Sequence, residues 1–206
     1  MLPFPSAPRE IPFMTIPDAW PVLWRAAADN LDLFGILGIC FGFATGLMPQ
    51  RRLILLTSTA CGLCFSIHFL QLGSSTGMAM NLISAVQCLL AVRFVTESGR
   101  PVWLNGAFAA AFILAIAMTV STWNGWPSGF ACLATLLATA ARLQSSAQAL
   151  RMLLIGASLL WASHNVLVGS VCGLTCDCLG LVGLSVALLR GQAATRRLPA
   201  ALVPSI

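Results

Sequence analysis

Two segments place the only histidines of this 206-residue chain in apolar surroundings, each five residues before a glycine: "FSIHFLQLG" at 65–73 and "WASHNVLVG" at 161–169. An imidazole so placed can donate, accept or titrate near pH 6.5 in unperturbed form. The shared register extends beyond the histidines. Setting residue i against i+96 aligns His68, Gly73, Ser74, Gly77 and Asn81 with His164, Gly169, Ser170, Gly173 and Asp177, and Phe65 with Trp161. Shared polar and glycine positions at one offset point to a duplicated unit. Ionisable groups inside an apolar run mark a functional site by default. The bland alternative is an imidazole that stitches two helices by a hydrogen bond worth about 1 kcal/mol.

Helix geometry sets the depth of these groups. His68 precedes the turn near Ser74 by six residues and Asn81 follows it by seven, so at 1.5 Å per residue both lie roughly 9–10 Å from it. His164 and Asp177 repeat the arrangement. The four side chains form one expected polar layer, with Phe65 and Trp161 a helical turn deeper as an aromatic floor. Asn165 and Gln71 are further candidates. The expected solute-binding residues are therefore His68, Asn81, Trp161, His164, Asn165 and Asp177. Asp177 is the most demanding, because a carboxylate within apolar surroundings needs a cation, a proton, water or a substrate.

The eight cysteines raise a second chemistry. Cys61, Cys64 and His68 fall on one helical face, a donor set suited to Cu(I) or Zn(II), though none of these cysteines recurs at the offset of 96. The first reading, a passive or ion-coupled carrier for a small polar solute, needs no metal or other cofactor; the alternatives are a heavy-metal-handling (Cu or Zn) membrane protein and a structural membrane factor without a substrate. Motifs of catalysis are missing: there is no Walker A loop, no HExxH and no GxSxG. Ser66 and His68, two residues apart, point to different helix faces. The sequence reads as a non-enzyme.

The elements that position these groups follow from composition. The chain is 58% hydrophobic and 8% charged, with mean hydropathy +0.90, against about 25% charged residues in soluble domains. Lipid must solvate most of it. Seven apolar spans are expected, at about 31–48, 53–72, 76–95, 103–122, 128–143, 150–168 and 172–190. The fifth is short and rich in Ala and Thr. Asp29 and Asp32 suit the start of the first helix, and Trp103 and Trp123 bracket the fourth span as interfacial anchors. The first thirty residues lack a basic start before an apolar core, so they read as an extended lead-in and not a signal peptide.

All eleven cations are arginine, which fits a GC-rich bacterial genome. With seven spans, nine of them from Arg51 to Arg197 fall on one side and only Arg9 and Arg25 on the other. That asymmetry predicts a periplasmic N-terminus and a cytoplasmic C-terminus. The net charge of +5 follows this topology and not a nucleic-acid partner; the partners are the bilayer and a small polar solute, with room for a homo-oligomer.

A three-helix unit begins and ends on opposite membrane faces, so two parallel copies need one linking helix. The expected fold is all-α: seven transmembrane helices as two parallel three-helix repeats joined by a linker helix. The organisation is an N-terminal segment 1–30, a first repeat 31–95, a linker 96–126, a second repeat 127–190 and a cytoplasmic tail 191–206.

This plan, with the Pro49–Gln50 pair at the end of the first span, is similar to the SWEET and PQ-loop transporters. The chain more closely resembles the YgjV-like family of bacterial inner-membrane proteins. The run "FGILGICFGFATGLMPQRRLILLTSTACGLCFSIHFLQLGSSTGMAMNLISAVQCLLAVRF" carries the resemblance: a glycine-rich first span, a basic turn, an HF…LG segment and a small-residue span ending in arginine. It extends over about 31–190. The likeness to SWEET-type carriers implies Asn81 and Asp177 as pocket residues and Trp161 as a stacking residue. Two departures stand out: "LQSSAQ" replaces Pro-Gln in the second half, and Asp replaces one Asn of the pair.

Overall fold

A computed structural model describes residues 31–96 and 99–196, with side chains as far as residue 191. The lead-in 1–30, including Asp29, and the tail beyond 196 lie outside the described residues. Seven α-helices follow one another: α1 (Leu33–Leu47), α2 (Arg51–Gln71), α3 (Ser75–Phe94), α4 (Val102–Ser121), α5 (Trp126–Arg142), α6 (Ala147–Val168) and α7 (Val171–Arg196). They coincide with the seven expected spans, except that α7 runs six residues further.

Five of the seven are long and apolar enough to cross a membrane. The exceptions are α1, with 15 residues, and α5, with 17. At 1.5 Å per residue these reach about 22 and 26 Å, short of a 30 Å hydrocarbon core. Their composition explains the length. Both are packing helices built on small residues: Gly35, Gly38, Gly42 and Gly46 on α1, and Ala131, Ala134 and Ala138 on α5, all buried. Such stripes let backbones approach closely where lipid offers no hydrophobic drive between helices. A Cβ at Gly46 would sit 3.0 Å from the Gly183 Cα of α7, and one at Gly38 would meet the Phe65 ring.

The extensive packings run α1–α2, α2–α3, α3–α5, α5–α6, α6–α7 and α7–α1, which closes a ring of six helices. α4 stands outside it against α3 and α5, and its large side chains Ile113, Leu114, Ile116 and Val120 remain exposed, as a lipid-facing surface requires.

Two turns at one end are built alike. Gly73 and Gly169 adopt φ of 72° and 71°, a conformation that costs any residue with a Cβ. Each lets the next amide reach back: Ser74 N donates to Phe69 O and Ser170 N to Asn165 O, both at 2.9 Å. This is the six-to-one bond of a Schellman cap.

The opposite end collects arginines. The Arg51 guanidinium donates to the carbonyls of Ala91, Val95, Arg142 and Gln144, where α3 and α5 finish. Arg151 donates to Met48 and Pro49 where α1 finishes. Cations here satisfy the last carbonyls of three helices and complement their dipoles.

Candidate functional site

All six ring helices contribute to one central cavity of about 140 Å³, the volume of roughly five liquid waters. Asn81, Trp161, Asn165 and Asp177 line it, as do Phe65, Phe69, Ser84 and Arg142. Four of the six side chains expected to bind a solute thus share one space.

Its lining has a numerical regularity. Gly42, Gly46, Ser58, Cys61, Gly62, Phe65, Phe69, Asn81 and Ser84 all line it, and so does the residue 96 positions after each: Ala138, Arg142, Leu154, Ala157, Ser158, Trp161, Asn165, Asp177 and Gly180. Glycines make room in the same register. A Cβ at Gly77 would press the Phe69 ring, and one at Gly173 would overlap the Asn165 amide.

The polar end of the cavity is set by α6 and α7. Asn165 Nδ2 donates to Asp177 Oδ2 at 2.7 Å, so the carboxylate has one protein donor and the cavity beside it. Asn165 Oδ1 is buried without a partner. On α3, Asn81 Nδ2 donates to Gly77 O at 3.0 Å.

The histidines lie elsewhere. His68 and His164 are 0% and 1% exposed and do not line the cavity. His68 Nδ1 pairs with Asp32, and its Nε2 lies 2.9 Å from Ser170 Oγ. Asp32 caps α1 through Phe34 N and Gly35 N, and Ser170 Oγ accepts from Gly173 N at the start of α7. One imidazole therefore joins α1, α2 and α7. His164 Nδ1 is 2.9 Å from Pro127 O of α5, and its Nε2 is buried without a partner close to the space beside Gly77 of α3. It joins α5, α6 and α3.

Aromatic rings separate the histidines from the cavity. Phe69 stacks on Trp161 at 6.0 Å and meets both imidazoles edge-on or tilted at 5.3–5.4 Å. Phe65 contacts His68 at 5.6 Å, and Trp161 contacts His164 at 5.2 Å. The expected aromatic floor beneath the histidines is at the same time the roof of the cavity. Gln71 is exposed at the end of α2.

The cysteine alternative disperses. Cys61 lines the cavity, and its sulfur and that of Cys176 flank Gly42, whereas His68 turns to Asp32. Cys61 and His68 are seven residues apart on α2, about 10 Å along the axis. Among the described residues no group of three or more His, Cys, Asp or Glu is gathered as a metal site.

Sequence reasoning missed Arg142, Ser84 and Phe69. Thr135, Thr139 and Arg142 fall at i, i+4 and i+7, one face of α5, and all are buried. That spacing was the available signal that Arg142 turns inward.

A ring of apolar helices around a small, mostly apolar cavity with a few polar side chains is the architecture of an integral membrane protein. The model of the Imp-YgjV family, described as bacterial inner membrane protein, matches residues 31–195. The chain belongs to the Imp-YgjV family. It is thus a multi-pass protein of the bacterial inner membrane. No curated protein and no solved structure matches it.

Proposed function

We propose that this Imp-YgjV protein is a carrier for a small polar solute, passive or ion-coupled. The observation that supports this most is the central cavity, built from all six ring helices and lined at its polar end by Asn81, Asn165 and Asp177. A structural scaffold has no need of a carboxylate inside the bundle, where an ionised group is expensive. A solute, a proton or a coupling cation meeting Asp177 gives it a use. No chemistry is assigned to the protein beyond binding and release.

In this reading residues 31–95 and 127–190 are parallel three-helix repeats, with 96–126 as linker and the arginine end cytoplasmic. The paired cavity lining and the two matching glycine turns favour the duplication. A ring in which α1, α2 and α3 take the same neighbours as α5, α6 and α7 favours a two-fold axis along the membrane normal. Rocking one unit against the other would open the cavity to each side in turn. Reporter fusions after Arg100 and Arg197 should read cytoplasmic and one at Trp126 periplasmic; a cytoplasmic signal at Trp126 contradicts the orientation.

The test of the carrier reading is a thermal-unfolding screen of purified protein against sugars, amino acids, organic acids, vitamins and metal ions. A bound solute raises the unfolding midpoint in a concentration-dependent way. Asp177→Asn should fold normally and lose or alter the pH dependence of that stabilisation. A solute response identical across pH in the variant makes the carboxylate structural and removes the ion-coupled version.

A further inference from the structure

The arginines of the structure divide into two kinds. Arg51 and Arg151 direct their hydrogen bonds to backbone carbonyls at helix ends. Arg142 does not. Its Nε donates to Cys88 Sγ at 3.1 Å and its Nη1 to Gln87 Oε1 at 2.8 Å, both side chains of α3. The residue is 6% exposed and lines the cavity. No carboxylate answers its charge among the described residues, where the one ion pair joins His68 and Asp32. A guanidinium buried with neutral partners retains much of its desolvation cost, which an anion can offset.

A second group points the same way. Ser84 Oγ is buried without a hydrogen-bond partner in a side chain 8% exposed, and Ser84 lines the same cavity. Gln87 Oε1 accepts from both Thr139 and Arg142, which fixes the guanidinium from behind and marks Gln87 as a positioning residue. The result is a guanidinium held by neutral acceptors alone beside a hydroxyl without a partner, a combination that an anionic oxygen would complement.

We propose that the arginine end of the cavity is an anion subsite in which Arg142 and Ser84 hold the carboxylate of a small amino or hydroxy acid. The inference rests on the carrier reading and names its substrate class. α3 sets the scale: Asn81 and Ser84, which both line the cavity, are three residues apart, about 4.5 Å along the axis. Polar levels so close suit a small solute whose carboxylate and amine or hydroxyl are near one another, as in an α-substituted acid. Asp177 and Asn165 take the amine or hydroxyl at the other end of the cavity.

The experiment follows thermal unfolding of the full-length protein in detergent against L-alanine and L-lactate. L-Alaninamide and propane-1,2-diol serve as counterparts without a carboxylate. The two acids should raise the unfolding midpoint and the counterparts should not. Arg142→Gln and Ser84→Ala should each weaken the acid response, the first by at least about tenfold in apparent Kd. Arg52→Gln, at an exposed position, should leave it unchanged. Should Arg142→Gln fail to fold, Ser84→Ala alone decides, and an undiminished response there overturns the subsite. Equal stabilisation by acids and counterparts, or an acid response retained in Arg142→Gln, also overturns it while the carrier reading stands. If neither acid acts, the subsite is wrong. A response to sugars or vitamins would then preserve the carrier reading alone, and silence across the whole screen would end both.

Discussion

At a spacing of 96 residues, the first three-helix unit offers the cavity Gly46, Phe69 and Asn81 where the second offers Arg142, Asn165 and Asp177. The frame is common to both: a middle helix ended by a left-handed glycine, a histidine five residues before it, a small-residue stripe on the first helix. The chemistry is not common. All the charge that faces the cavity comes from 127–190, whereas 31–95 supplies neutral amide, hydroxyl and aromatic surface. Small residues and helix-end hydrogen bonds determine how the helices meet, so they are held alike in both units. In the proposed carrier, a pocket that grips one asymmetric solute requires unlike groups on its two sides, and the two segments differ there.

The seams between the units offer the most damaging way to break this comparison. α1 meets α7 through Gly46 and Gly183, with backbone in contact, while the corresponding position on α5 carries Arg142. Gly46→Leu should therefore cost several kcal/mol by overpacking and abolish a monodisperse peak in size-exclusion chromatography. A well-behaved variant would mean that the α1–α7 contact is looser than described.

Next in size come the histidines. His68 has two side-chain partners, on α1 and α7, and His164 has one backbone carbonyl. Removing a buried, bonded imidazole leaves both a cavity and orphaned partners. His68→Ala should lower stability by about 2–3 kcal/mol and His164→Ala by about 1–2 kcal/mol, measured by thermal unfolding in detergent. Neither should change which solutes bind, since neither side chain lines the cavity. A solute profile rewritten by either variant would return the histidines to the binding layer that their sequence positions suggest.

The glycine turns should be indistinguishable. Gly73→Ala and Gly169→Ala each impose a positive φ on a residue with a Cβ in open surroundings, at a cost of about 1 kcal/mol apiece. Unequal losses would separate the two units at the level of the frame. Asp32 gives the smallest effect. Asp32→Asn keeps a side chain able to cap α1 and to meet His68, so its unfolding midpoint in detergent should fall less than that of either glycine variant.

Most of the frame was legible in the sequence because bilayers impose lengths and glycines impose turns. Spans of about twenty apolar residues and the two Gly-Ser pairs at 73–74 and 169–170 each have few structural solutions. The site was legible in part. Asn81, Asn165, Asp177 and Trp161 reached the cavity because a polar or amphipathic group within a span generally turns inward. The histidines shared that signal and are also inward, but they are consumed by Asp32, Ser170 and Pro127, and partners at helix ends 36 to 102 residues distant leave no local pattern. Arg142 was read as a flanking cation, since charge near a span end looks the same whether it faces solvent or a cavity.

A carrier exposes its cavity to each side in turn, and Cys61, which lines it, can report that. In a variant with Cys61 as the sole cysteine, a membrane-impermeant methanethiosulfonate reagent is applied to cells with a permeabilised outer membrane and to inverted inner-membrane vesicles. A carrier should be labelled in both preparations, and more slowly in both with any solute that raises the unfolding midpoint. Labelling from one side only would describe a blind pocket, and labelling from neither a closed scaffold; either result would contradict a carrier.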